Sequence, residues 1–64
     1  MSQETDMYVV QLKRELRTLQ AKVNQERVAM SLARFKTEKK VHTKRINGLN
    51  ADITALRKRI DGIE

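Results

Sequence analysis

Sixty-four residues make at most one domain, and a chain this short buries too little surface to be stable without a disulfide, a metal or a partner. It has no cysteine and a single histidine, His42, so disulfides are excluded, no metal or other cofactor is expected, and a partner is what remains. The net charge of +6, from fourteen Lys and Arg against eight Asp and Glu, favours nucleic acid, lipid headgroups or an acidic protein face without choosing among them.

The residue mix predicts an all-α fold. Hydrophobic residues are 39% and charged residues 34%, proline is absent, and Tyr8 and Phe35 are the only aromatics. Ala, Leu, Lys, Arg, Glu and Gln lose least in a helix, and high charge with helical periodicity marks coiled coils and long helices.

Residues 1–5 read as a short polar tail, and 6–64 as one helical coiled-coil region. Ser2 and Thr5 are candidate N-caps, and Asp6 suits the positive end of a helix dipole. The acidic, polar start is unlike a signal peptide, and no apolar run approaches the roughly 18 residues needed to span a bilayer. A soluble, intracellular chain, or one built into an assembly inside a cell, is expected.

The first seam occupies residues 9–23. Val9, Leu12, Leu16, Leu19 and Val23 are spaced 3, 4, 3, 4, with Val9, Leu16 and Val23 at heptad position a and Leu12 and Leu19 at d. The same frame continues through Glu26, Met30, Ala33 and Thr37, where the apolar signal fades. The segment 28–35 spreads Val28, Ala29, Met30, Leu32, Ala33 and Phe35 around most of a helix, which predicts the most tightly packed point of the chain. Met30 there reads as a gap filler.

A basic middle follows at 34–45, with Arg34, Lys36, Lys39, Lys40, Lys44 and Arg45 against Glu38 alone. Lys36, Lys40 and Lys44 are four apart and share a helical face, a ridge able to track phosphates. A solvated face is the plainer explanation. No aromatics interleave for base stacking, and no helix-turn-helix or zinc-finger spacing appears. His42 reads as an exposed histidine among lysines, with no nearby acid to orient it; buried between helices it would be pH-sensitive.

The second seam, 46–63, is cleaner. Ile46, Ile53 and Ile60 fall at a, and Leu49, Leu56 and Ile63 at d, a combination that favours parallel two-stranded packing. Asp52 to Arg57 and Arg59 to Glu64 would be the flanking pairs between parallel copies. Traced backwards, the frame passes through His42, Lys39, Phe35, Leu32 and Val28. The run Arg45-Ile46-Asn47-Gly48-Leu49-Asn50 resembles a trimer-favouring coiled-coil motif, with Asn50 where an acid would receive the arginine. The stretch 45–63 is similar in a general way to the coiled-coil stalks of fibrous and phage structural proteins. A basic stretch feeding a seam also resembles the order in basic-zipper proteins, without their Asn and Arg pattern for base reading.

The two frames differ by two residues, which at ~100° per residue moves the seam by roughly 200°. A continuous helix with two faces, a bend near 24–30, or a helical hairpin would each account for it. Asn47-Gly48 is the one turn-like dipeptide inside the chain, but a break there would discard the alignment of Ile46 with Leu49, and Glu38-Lys39-Lys40 within 37–43 favours helix. These weak turn signals favour a continuous or gently bent helix over the hairpin.

No residues pair as a catalytic set, and Gly48 and Gly62 form no phosphate loop, so no enzyme is expected. The expected role is a structural or adaptor protein acting by helix–helix association in a coiled coil or bundle. Its interface residues are Val9, Leu12, Leu16, Leu19, Val23, Val28, Leu32, Phe35, Ile46, Leu49, Ile53, Leu56, Ile60 and Ile63. Its partners would be further copies as dimer or trimer, or a larger assembly, with the basic middle facing an acidic surface. The alternative is a small nucleic-acid accessory protein that binds through Arg34, Lys36, Lys39, Lys40, Lys44 and Arg45; a membrane partner is disfavoured because Phe35 alone could anchor an interfacial helix.

Overall fold

The computed structural model describes the backbone of residues 3–63 and the side chains of residues 6–63. It is all-helical: α1 runs from Gln3 to Leu32 and α2 from Lys36 to Ile63, and the two pack against each other as a hairpin 51 Å long and 15 by 10 Å across. The expected continuous helix is therefore replaced by its alternative. The expected boundary after residue 5 is also displaced, because α1 includes Gln3 to Thr5; the candidate cap Ser2 lies outside the described residues.

The chain reverses at Ala33, Arg34 and Phe35, between the two helices, and not at Asn47-Gly48 or within 37–43, all of which lie in α2. α1 closes with a short-range bond, Ala33 N–H to the Met30 carbonyl at 3.2 Å, a tightened last turn. α2 opens with Lys39 N–H donating to the Phe35 carbonyl at 3.2 Å, which makes Phe35 its N-cap residue. No described residue has positive φ, so the reversal uses ordinary backbone and needs no glycine. That explains why no turn residue marks it in the sequence.

The two seams face each other across the hairpin. Leu12, Leu56 and Ile60 are buried together, with Leu16, Leu19 and Ile63 packed against them. Nearer the turn Val23, Ile46 and Ile53 are buried, joined by Met30 and Leu49. The two-residue offset between the frames is absorbed by the turn, since each seam belongs to its own helix. Met30 is half-buried against this group, with the Thr43 hydroxyl 3.5 Å from its Sδ.

The core is one side chain deep. Its best-buried residue, Leu12, keeps 4% of its surface, and no described side chain falls below 2%. An isolated two-helix core of this kind is marginal by size alone. Among the described residues no helix is long and apolar enough to cross a membrane.

Candidate interaction surfaces

Three surfaces bear on function: the seam between the helices, an apolar strip outside α1, and the basic end of the hairpin. Eleven of the fourteen expected interface residues lie on the first. Val9, Leu12, Leu16, Leu19 and Val23 line it from α1, and Ile46, Leu49, Ile53, Leu56, Ile60 and Ile63 from α2; all are buried or half-buried within one chain. The parallel flanking pairs would need a second chain, and Glu64 lies outside the described residues.

Val28, Leu32 and Phe35 do not join that seam. They are 60%, 76% and 64% exposed, so one side of the segment expected to be most tightly packed is open to solvent, while Ala29, Met30 and Ala33 are half-buried. The reason is the turn: tracing the second frame back across residues 33–35 follows a helix that no longer exists, onto the outside of α1. There Val28, Ala29 and Leu32, with Asn24 and Gln25, line a shallow, almost wholly apolar groove. Exposed Phe35 follows at the turn.

Polar residues interrupt the seam at one level. Glu26 continues the first frame at d, and His42 holds the corresponding d position of the second. The His42 Nδ1 lies 2.5 Å from Glu26 Oε2, and Arg45 reaches Glu26 Oε1 at 3.6 Å. An ionised carboxylate only accepts, so the imidazole N–H donates. The hydrogen bond from His42 is the main cause that holds the Glu26 carboxyl below its ordinary range, with the Arg45 charge adding to it against the opposing effect of burial. His42 is thus oriented by an acid and keeps only 20% of its side chain exposed, contrary to the expectation of a solvent-facing histidine without one. Folding the two heptad frames against each other in antiparallel sense would have exposed the pair. Lys39, at a in the same frame, is exposed.

The basic residues Arg34, Lys36, Lys39, Lys40, Lys44 and Arg45 are all exposed and gather at the closed end. Charge is divided unevenly along the hairpin. Residues 22–48, the half around the turn, hold eight Lys and Arg against two carboxylates, Glu26 and Glu38; the remaining residues hold six against six. The whole net charge of +6 therefore sits at the closed end. Lys36, Lys40 and Lys44 run up the outside of α2, and Glu38, two residues from either Lys36 or Lys40, is turned roughly 200° from that ladder.

No group of three or more His, Asp or Glu side chains is placed to hold a metal ion among the described residues. Comparison with protein-family models, with curated proteins and with solved structures finds no match to this chain.

Proposed function

We propose that this chain is a non-enzymatic adaptor that docks onto a helical partner with the closed end of its hairpin. The carrying observation is the coincidence of large exposed apolar side chains, Val28, Leu32 and Phe35, with the entire net positive charge in one half of the molecule. Large apolar side chains left in water are what a docking surface supplies, and the net positive charge of that end favours an acidic counterpart. The seams are occupied within the chain, which moves the proposed contact from the seams to the outer face of the hairpin.

A second reading, nucleic-acid binding, draws on the exposed Lys36–Lys40–Lys44 ladder, with no carboxylate on its face. Salt separates the two. The chain is titrated with a synthetic acidic amphipathic helix and, separately, with a short DNA duplex, at low and at high salt. Helix docking is supported if the peptide binds and much of that affinity survives high salt, because apolar burial is not screened. It is overturned if only the duplex binds, with affinity falling steeply as salt rises.

A further inference from the structure

The outer strip of α1 beside the turn has chemistry that specifies its occupant. Val28, Ala29 and Leu32 form its floor, and Asn24 and Gln25 its polar margins. Lys22 lies beyond Gln25 on one side and Arg27 beyond Asn24 on the other, each lining the adjoining groove. No carboxylate lines the strip itself; Glu26 and Asp52 line the groove beyond Lys22, where Glu26 is engaged by His42 and Arg45, and no carboxylate lines the groove beyond Arg27.

Phe35 adds an independent observation. It stands at the N-cap of α2, where Ser, Thr, Asp or Asn would satisfy a helical N–H, and the residue is 64% exposed. Glu38 occupies the third helical position, so a serine at 35 would complete a capping box. A largely exposed phenylalanine here forgoes the capping hydrogen bond that a serine would make, and presents its side chain where an external contact could use it.

We propose that the strip and Phe35 together seat an acidic amphipathic helix of a partner protein, laid along the outside of α1 as the third helix of a bundle. This rests on the docking function proposed above and names its surface and its partner's chemistry. A second copy of this chain is the poorer occupant, since pairing closed ends would bring together two halves that each carry +6. A flat anionic bilayer is poorer too. The strip lies opposite the α1 seam and the lysine ladder opposite the α2 seam, so the two look away from each other and one plane cannot take both. A helix needs only the strip, with acidic side chains reaching Lys22 and Arg27 at its edges.

The test uses two synthetic helices with the same leucine stripe, one flanked by glutamate and one by lysine, titrated against the whole chain. The glutamate helix should bind, and the lysine helix should bind about tenfold more weakly or not at all. V28S/L32S should cost about tenfold or more in binding the glutamate helix with unchanged helicity, because those side chains are outside the core. F35S should weaken that binding while raising the melting temperature, a split that a purely structural phenylalanine would not produce. Equal binding of both peptides through Val28 and Leu32 would overturn the acidic partner but leave helix docking standing. Binding untouched by V28S/L32S would overturn the strip. Dimerisation of the chain alone that V28S/L32S abolishes, or binding to phosphatidylserine vesicles that it abolishes while neither peptide binds, would overturn this occupant in favour of a second copy or a membrane.

Discussion

His42 and Glu26, sixteen residues apart, meet across the hairpin with Nδ1 2.5 Å from Oε2. Both stand at d positions beside the apolar part of the seam, so each would be poorly placed without the other. A polar pair in an apolar seam fixes register, because sliding one helix by a heptad would set each against a hydrophobic neighbour. Arg45 takes the second oxygen of the carboxylate.

This pair has an acid signature. Hydrogen bonding to His42, and then the Arg45 charge, hold the Glu26 carboxyl below its ordinary value in the folded chain. Its contribution to stability is therefore complete above the ordinary glutamate range, roughly pH 4.3, and is lost as pH falls through the lower folded value. Thermal melts from pH 7 to pH 3 should show wild type losing stability across that acid limb. E26Q should start less stable and show a flatter limb; an unchanged acid dependence would mean the pair contributes nothing.

Gly48 lies in the middle of α2 without positive φ, and a Cβ added there meets nothing within 4 Å. Replacing it with alanine removes an entropic cost of about 0.8–1 kcal/mol. G48A should melt higher by roughly 4–8 °C, with an unaltered helical spectrum. A lower melting point would indicate that Gly48 approaches another chain.

Ile53 and Leu56 belong to the two halves of the core, at 8% and 6% exposure. Leu56→Ala should cost about 2–5 kcal/mol, less where the open seam can collapse. Two aspartates, I53D/L56D, should unfold the hairpin itself and abolish its circular dichroism signal. If helicity survives and only an oligomer dissociates, the seam is shared between chains.

Capping chemistry makes F35S a gain. Supplying the missing N-cap hydroxyl beside Glu38 should stabilise α2 by about 0.5–2 kcal/mol, read as a higher midpoint in urea. No change would show that the first turn of α2 is satisfied in another way.

Much of the fold was legible in the residues. The 3, 4, 3, 4 spacings from Val9 to Val23 and from Ile46 to Ile63 locate both helices and the buried side chains, because a heptad stripe leaves little choice of inward face. The turn was not legible. Ala33-Arg34-Phe35 contains no residue that resists helix, so the reversal is decided by long-range burial of one seam on the other. The Glu26–His42 pair escaped for the same reason: it exists only once residues sixteen apart are folded together. The exposed strip followed from the turn, since Val28 and Leu32 are inside or outside according to which helix they belong to.

The absence of any stop signal at the bend has a mechanical consequence. Residues 33–35 use ordinary backbone, so the closed hairpin rests on the seam and the Glu26–His42 pair and not on a turn motif. Whether α1 closes on its own α2 or on a neighbour's is then a matter of effective concentration, which a short tether sets in the millimolar range. Below that crowding the jack-knife stays closed on itself. An exchange of seams between neighbouring chains would require a local concentration above that range.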